Sequence, residues 1–421
     1  MVYSDPYFLN KFTLDKSLRS DKSKDIGSIC WSDSGEVLLS GSRNGLLTIW
    51  NPFEGTFLHI NSYTGERDNL QSVKFMPMTS DQYAISGSDL GYIRLYDIAS
   101  NTIISQYSGL KTYTTVDTNN PNDILSCSED GTVHHFDIRI RHSSLKSSLL
   151  LDYNCSGGSM AVHLRSLSIH PNNDHYFATA GSQNYIYLHD RRMISKGGDA
   201  SFPLKSLIKR FVNNNSSCTT KNNQGLSFAN ACKFSRSQHN LLMANWSDDG
   251  IYLFNINDVG DDNTNVIKHR SYFTGHLNPW VSNENVGFYG MDDEYLISSS
   301  DDGLVYIWQR HTRKIVQILQ VNASLISAIQ GHPQLPILAI VCSGQSIKIY
   351  SPLYGSSETL DPITTKTTTT TRHKISDTPI SHMFEVDKLI KRNEELRQGD
   401  PVNLYHFLIE NDLDHAPCYI Q

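Results

Sequence analysis

Short apolar segments separated by turn residues recur along the chain. The stretch Tyr295–Trp308 shows this pattern most clearly, because two apolar runs, Leu296–Ile297 and Val305–Ile307, lie on either side of Asp302-Gly303. Glycine takes the positive φ that the tightest part of a hairpin connection requires. The pattern therefore predicts two short strands joined by a tight turn.

The same hairpin recurs seven times, and further apolar strands precede the copies, as at Ser28–Trp31 and Ser72–Phe75. The shortest spacings, about 40 to 46 residues, are close to the period of a four-stranded propeller blade, and longer spacings predict insertions. One such sheet cannot bury both of its faces, whereas a closed ring of seven can. We therefore predict an all-β, seven-bladed propeller. An aromatic residue or its equivalent closes each copy, at Trp50, Tyr96, Phe136, His189, Phe254, Trp308 and Tyr350.

The chain resembles the WD-repeat β-propeller family over roughly residues 27–352. Gly275-His276 and Trp308 match parts of the Gly-His and Trp-Asp signature of that family, and Tyr96-Asp97 comes near to its Trp-Asp dipeptide. The resemblance implies the same seven-bladed ring, and it implies that His276 serves a structural hydrogen-bond network with an aspartate.

Composition shifts predict the domain boundaries. The expected units are an N-terminal extension at 1–25, the propeller at 26–355 with an insertion at 193–224, a Thr-rich linker at 356–379 and a helical tail at 380–421.

Both ends of the chain carry further predicted elements. The apolar residues Phe8 and Phe12–Leu14 are candidates to complete the last blade beside the strands that end at Tyr350. Near-helical spacing predicts an amphipathic helix over Ile380–Gln398, and a second apolar stretch follows at Val402–Leu408. We expect these helices to pack back on the propeller.

Composition narrows the possible environments and partners. The net charge of −7 gives no general attraction to nucleic acid or to an anionic membrane. No apolar run approaches the roughly 18 residues of a membrane helix, and the amino terminus lacks a signal-peptide core. The seven cysteines are scattered without a Cys-x-x-Cys pair, which favours a reducing compartment, cytoplasmic or nuclear.

Catalytic motifs are missing from the sequence. It contains no Walker loop, no Gly-x-Ser-x-Gly elbow, no dinucleotide fingerprint and no zinc-ligand spacing. The carboxylate pairs Asp248-Asp249 and Asp301-Asp302 lie at the repeated turn, where aspartate forms local backbone hydrogen bonds. We therefore expect no catalytic, metal-binding or cofactor-binding residues, and a protein that is not an enzyme.

Two arginine motifs follow consecutive blades. Phe136–Arg139 ends the third blade and His189–Arg192 ends the fourth, and each places an aspartate, one spacer residue and an arginine in order. Their equivalent positions predict neighbouring guanidinium groups on one face of the ring. Arginine suits a protein interface because its planar fork of donors is weakly hydrated. A local ion pair within each blade is the alternative, and both roles are compatible.

These boxes resemble the docking boxes of the substrate receptors of cullin-4 RING ubiquitin ligases, whose arginines contact the ligase adaptor. The resemblance implies that Arg139 and Arg191 face the adaptor, with Arg192 and Arg141 in support. It implies a non-catalytic substrate-recognition subunit, with client proteins on the opposite face or at the central channel. Phe136 and His189 stand where the family has tryptophan or tyrosine. The adaptor-binding set that the resemblance implies is Asp137, Arg139, Asp190, Arg191 and Arg192.

Two alternatives remain at this point. The chain could be a general WD-repeat scaffold in another assembly, for example in chromatin or RNA processing, because propellers reuse one shape for many partners. An enzyme built into a propeller would require converging carboxylates and histidines at the channel.

Overall fold

The structure, a computed structural model, confirms an all-β, seven-bladed propeller. It describes residues 9, 11–22, 25–61, 68–107, 114–139, 148–154, 161–194, 206–213, 228–260, 265–278, 285–321, 325–342, 346–352 and 383–398. In these ranges the strands form seven sheets, and the first strands of successive blades contact one another to form the inner ring. No helix in these ranges is long and apolar enough to span a membrane.

The first described strand, β1 (Phe12–Arg19), belongs to the last blade. Blade 1 comprises β2 (Ile26–Trp31), β3 (Leu38–Ser42), β4 (Leu46–Asn51) and β5 (Thr56–Asn61). Blade 2 comprises β6 (Leu70–Phe75), β7 (Tyr83–Ser88), β8 (Ile93–Asp97) and β9 (Thr102–Tyr107). Blade 3 comprises β10 (Thr114–Asn120), β11 (Asp123–Ser128), β12 (Thr132–Asp137) and β13 (Ser148–Asp152).

The remaining blades follow the same meander. Blade 4 comprises β14 (Leu164–Ile169), β15 (Tyr176–Gly181), β16 (Tyr185–Asp190) and β17 (Leu207–Val212). Blade 5 comprises β18 (Ala229–Phe234), β19 (Leu241–Trp246), β20 (Ile251–Asn255) and β22 (Ser271–Phe273), and β21 (Val266–Lys268) lies between the last two in the chain. Blade 6 comprises β23 (Val286–Tyr289), β24 (Tyr295–Ser299), β25 (Leu304–Gln309) and β26 (Ile315–Gln320). Blade 7 comprises β27 (Ile326–Gly331), β28 (Leu338–Cys342), β29 (Ser346–Pro352) and β1.

The core lies between neighbouring blades. Leu125 and Val133 of blade 3, for example, belong to one buried cluster with Ile169 and Phe177 of blade 4. Each sheet thus buries its two faces against its two neighbours, which removes apolar area from water on both sides. The large polar aromatics of the third strands keep a partner inside this core, as when the Trp50 indole nitrogen donates to Ser40 Oγ at 2.8 Å.

Blade 7 closes the ring with strands from both ends of the described propeller. β1 pairs antiparallel with β29, with Phe12 opposite Pro352 and Leu14 opposite Tyr350. Phe12 is 2% exposed, and its ring lies edge-on to Tyr289 of blade 6. Residues 12–19 are therefore an outer blade strand, while Phe8 lies outside the described residues.

Blade 4 departs from the predicted boundaries. Its fourth strand, β17, lies inside the segment 193–224 that the sequence assigned to an insertion. In the sequence, the charges of the lysine and arginine at 209 and 210 indicate a loop. The aliphatic parts of such side chains can nevertheless cover apolar surface within a strand. β21 adds a fifth strand parallel to β17, with Phe211 opposite Ile267.

The helix predicted in the C-terminal tail is present as α1 (Met383–Gln398) and packs on the propeller. Asn393, 1% exposed, donates to the Gly275 carbonyl at 2.7 Å, and Arg392 pairs with Asp302 at 3.0 Å. Leu389 packs against the apolar cluster of blades 5 and 6. The second predicted stretch, Val402–Leu408, and the Thr-rich linker lie outside the described residues.

A candidate docking rim on blades 3 and 4

The two arginine motifs lie at the same place in two adjacent blades. Asp137 ends β12 opposite Asp123, where β11 begins, and Asp190 ends β16 opposite Tyr176, where β15 begins. Both motifs therefore emerge where the second strand begins and the third strand ends, on one side of the ring. We call this part of blades 3 and 4 the docking rim, formed by Asp137, Arg139, Asp190 and Arg192.

In blade 3 the aspartate holds the arginine through a local turn. The backbone N–H of Arg139 donates to Asp137 Oδ1 at 3.0 Å. The guanidinium of Arg139 donates from Nε to Oδ1 at 2.9 Å and from Nη2 to Oδ2 at 2.6 Å. These hydrogen bonds lower the pKa of Asp137 to about 2. The Arg139 side chain remains 66% exposed, so it is aligned and accessible to a partner.

Blade 4 repeats this geometry with Asp190 and Arg192. The backbone N–H of Arg192 donates to Asp190 Oδ1 at 2.9 Å, Nε donates to the same oxygen at 3.0 Å, and Nη2 donates to Oδ2 at 2.7 Å. The side-chain hydrogen bond from Arg192 lowers the pKa of the Asp190 carboxyl group. The Arg192 side chain is 57% exposed. The two boxes therefore present the same fork of donors to solvent.

Arg191 has a different place from the one the sequence assigned to it. Its side chain is only 15% exposed, its Nη1 donates to the Asp174 carbonyl at 3.2 Å, and it lies 3.6 Å from the Asp123 carboxylate of blade 3. Arg191 thus links blades 3 and 4, while Arg192 is the counterpart of Arg139. The expectation that Arg191 faces a partner with Arg192 in support is reversed, and Arg141 lies outside the described residues.

The sequence held a signal for this distinction. The residue after the closing aspartate or its equivalent is Ile98 in blade 2, Ile138 in blade 3 and Ile256 in blade 5, and all three pack against apolar clusters. That spacer position therefore points inward. Arg191 and Arg310 occupy it in blades 4 and 6, and Arg310 is 6% exposed.

Polar contacts fix the two boxes relative to each other. Asn119 of blade 3 donates from Nδ2 to the Pro171 carbonyl at 2.7 Å and to the Asp174 carboxylate at 3.0 Å in blade 4. His135 contacts the Asp123 carboxylate at 3.0 Å, and this hydrogen bond is the main cause of the lowered pKa of Asp123. The loops beneath the docking rim are therefore joined to each other by side-chain hydrogen bonds.

The residues at the family's aromatic positions lie beneath the rim. Phe136 is 3% exposed and packs edge-on to Tyr107. His189 is fully buried, and its ring nitrogens contact the Tyr153 hydroxyl at 2.6 Å and Ser206 Oγ at 3.0 Å. Neither side chain can touch a docked partner directly.

Exposed methionines accompany the arginines, a feature that the sequence reasoning missed. Met193 follows Arg192 directly and is 55% exposed, and Met78, in the first loop of blade 2, is 84% exposed. Met78 borders a surface depression of about 600 Å³. Flexible apolar methionines suit protein surfaces that contact partners. The depression is also lined by Asn119, Asn120, Pro121, Pro171, Asn172, Asn173, Asp174 and His175.

Chemistry beyond protein contact has little support at the rim. Among the described residues, no group of three or more His, Cys, Asp and Glu side chains is placed to hold a metal ion. The acidic groups of the rim are engaged by their own arginines.

Comparison with known proteins agrees with the ring of blades. The family model for the WD domain, G-beta repeat, matches residues 13–51 and 268–309. Each match covers the outer strand of one blade and the first three strands of the next blade. The first match contains β1 from Thr13 and β2 to β4, and the second contains β22 and β23 to β25. The chain therefore contains WD repeats, set in a ring of seven blades.

Three relatives extend this similarity. The WD repeat protein iqw1 of Schizosaccharomyces pombe is 28% identical over 67% of this chain and 39% of its own length. The human DDB1- and CUL4-associated factor 6 is 31% identical over 58% of this chain and 28% of its own length. The mouse WD and tetratricopeptide repeats protein 1 is 28% identical over 45% of this chain and 28% of its own length. The resemblance to cullin-4-associated factors is confirmed. The present chain matches 39% or less of the length of each of these relatives.

Proposed function

We propose that this WD-repeat protein is a non-catalytic substrate-recognition subunit of a cullin-4 RING ubiquitin ligase. In this proposal the docking rim binds the ligase adaptor through Arg139 and Arg192. The opposite face or the central channel then holds a client protein. The protein acts by proximity, because holding a client lysine near the transferring enzyme raises its effective concentration.

The observation that carries the proposal is the repeated geometry of the two boxes. Two adjacent guanidinium groups are both more than half exposed, and each is held by an aspartate through two or more side-chain hydrogen bonds. In each case Nε and one Nη2 N–H point to the aspartate. Both guanidinium groups remain more than half exposed, and that of Arg192 also lies 5.9 Å from the Tyr176 ring centroid, so carbonyl or carboxylate groups of a partner can accept hydrogen bonds from their remaining N–H donors.

The local aspartates also favour binding by ordering the arginines beforehand. Immobilising a long side chain at an interface costs about 0.5–1.5 kcal/mol. Asp137 and Asp190 fix the two forks before a partner arrives, so less of that ordering accompanies binding. The name of the human relative, DDB1- and CUL4-associated factor 6, supports a cullin-4 adaptor as the partner.

The test is purification of wild-type protein and of Arg139→Ala/Arg192→Ala from cells, with quantitation of the co-purified adaptor. We expect at least a tenfold loss of adaptor from the double variant. Arg270→Ala is a matched control, because Arg270 is also exposed, at 56%, and also paired with an aspartate, Asp258. We expect Arg270→Ala to recover as much adaptor as wild type.

The same purification decides between the ligase subunit and the general scaffold. Equal adaptor recovery from wild type and Arg139→Ala/Arg192→Ala would end the assignment of the docking rim. Absence of every cullin-4 component from the wild-type sample would favour a WD-repeat scaffold in another assembly.

A further inference from the structure

A second surface lies where the ring closes, between β1 of blade 7 and the outer hairpin of blade 1. We call it the seam groove; its volume is about 410 Å³. One wall is the second half of β1, and the other is the connection between β4 and β5. Its lining residues are Lys16, Ser17, Leu18, Arg19, Trp50, Gly55 and Phe57.

The blade 1 side of the seam groove is unusually apolar at its surface. Phe53, Phe57 and Leu58 are 47%, 46% and 47% exposed, so three large apolar side chains lie at the surface within six positions of the chain. Of these three, Phe57 lines the seam groove, where its exposed ring offers a large apolar contact surface to a partner.

The strand register explains why blade 1 differs from its neighbours. Phe57 lies opposite Trp50 across β4 and β5, and the equivalent partners in blades 2 and 6 are Ile103 and Ile315, which are half-buried. Those two blades carry a bulge beside this pair, whereas β4 and β5 pair without one. A bulge redirects side chains. In blade 1, where the register is regular, the aromatic ring of Phe57 is more exposed than the isoleucines at the equivalent positions.

The β1 side of the seam groove is basic. Lys16 donates from Nζ to the Phe53 carbonyl at 2.7 Å and the Pro52 carbonyl at 3.1 Å, contacts that leave its charge uncompensated. Within the described part of the chain, neither Lys16 nor Arg19 forms an ion pair, and Arg19 is exposed. Glu54 is exposed in the adjacent turn but does not line the groove.

We propose that the seam groove binds an acidic segment of a partner protein in which a bulky apolar side chain lies beside carboxylates. The apolar side chain packs on the Phe57 ring and over Gly55, where no atom lies within 4 Å of an added Cβ position. The carboxylates pair with Arg19 and Lys16. The charge match favours acidic segments locally, because Lys16 and Arg19 both line the groove in a chain whose net charge is −7.

Peptide selection on the full-length protein tests this proposal. A random dodecapeptide library displayed on phage is selected on the wild-type chain, and enriched peptides are measured by fluorescence anisotropy. We expect enriched sequences to combine Asp or Glu with Leu, Phe or Trp. Their affinity should fall at least tenfold with Arg19→Glu and with Phe57→Ser, and it should weaken as salt is raised.

Matched variants make the result decisive. Lys314→Glu reverses an exposed charge in blade 6, and Ile104→Ser removes an exposed apolar side chain of blade 2; both should bind like wild type. Phe57 contacts Trp50, so the melting temperature of Phe57→Ser is measured, and exposed Arg19→Glu supplies the test that is independent of folding.

Three outcomes would overturn the proposal. They are the absence of enriched acidic peptides, equal affinity for wild type and Arg19→Glu, and loss of binding with Arg139→Ala/Arg192→Ala instead. The last outcome would move the acidic-peptide site to the docking rim.

Discussion

The boxes of blades 3 and 4 share the same exposed aspartate–arginine contacts but differ in the buried side chains beneath them. Arg139 and Arg192 make matching contacts to their aspartates, with corresponding distances that agree within about 0.1 Å. Beneath them, blade 3 uses apolar Phe136 and Ile138, whereas blade 4 uses a hydrogen-bonded His189 and Arg191.

This comparison distinguishes the residues that form the exposed arginine fork from the residues that pack inside the blade. The exposed fork depends on the aspartate and on the arginine two positions later, and both blades keep these. The buried positions accept either packing or polar contacts, provided that the polar groups find partners. The aromatic position of the family is therefore a buried packing position of each blade here, filled by Phe136 in one and by His189 in the other.

Charge reversal on the rim should give the largest effect. We expect Arg139→Glu and Arg192→Glu each to weaken adaptor binding about 100-fold, because the new carboxylate faces a partner acceptor and an adjacent aspartate. Calorimetric titration of the purified adaptor measures this. Equal losses from the two variants are the expected result, and a loss from one alone would show that the boxes are not equivalent.

The buried histidine of blade 4 should make stability depend on pH. Burial lowers the pKa of His189 to about 3, below the value of about 6.5 in an unfolded chain. Between these values the unfolded state binds a proton that the folded state does not, so stability is lost as pH falls through this window. At about 1.4 kcal/mol per pH unit, we expect wild type to lose roughly 2–3 kcal/mol more than His189→Phe between pH 6.5 and 4.5.

Urea unfolding at the two pH values measures this difference. His311→Phe, which removes an exposed histidine, is the control and should keep the wild-type pH dependence. The same change of stability with pH in wild type and in His189→Phe would mean that the pKa of His189 does not differ between the folded and the unfolded state.

Removing the charge of the aspartates should have a smaller effect on docking. We expect Asp137→Asn and Asp190→Asn each to weaken adaptor binding about tenfold, which corresponds to about 1.4 kcal/mol. The turn can persist while the guanidinium loses its fixed orientation. Asp258→Asn, which releases Arg270, is the control and should leave the affinity unchanged. Wild-type affinity of both rim variants would show that the aspartates do not favour adaptor binding by ordering the arginines beforehand.

The smallest effect is expected at the spacer position. Arg191→Ile copies Ile138 of blade 3, so the lost contact with partly exposed Asp123 is offset by apolar packing. We expect the free energy of unfolding to change by less than about 1 kcal/mol, because ion pairs near the surface contribute little. Adaptor binding should stay at the wild-type level; a loss as large as that of Arg192→Ala would restore Arg191 as a contact residue.

The repeat made most of the fold predictable. Each hairpin carries its own turn residues, so seven local signals agreed on one ring. The short β21 could not be predicted, because three residues that end in Lys268 carry no periodic signal and the strand is defined by its pairing with β17. The docking of α1 also depended on tertiary contacts, since the partners of Asn393 lie far away in the sequence.

The candidate site was predictable in its position and not in its detail. The spacing from Asp137 to Arg139 and from Asp190 to Arg192 placed both boxes correctly. Distinguishing the partly buried Arg191 from the exposed Arg192 required knowledge of which side chain points inward, and that follows from the isoleucines packed at the same position in other blades. The exposure of Met78 depends on a loop in the left-handed region, with φ of 58°, which composition does not reveal.

The pairing of β1 with β29 has a consequence for biosynthesis. β1 cannot pair with β29 until almost the entire propeller has been translated. During that interval the apolar residues of β1, Phe12 among them, have no completed sheet to join. Closure of the ring therefore has to bury these residues after synthesis of the other blades, which makes it a late step of folding.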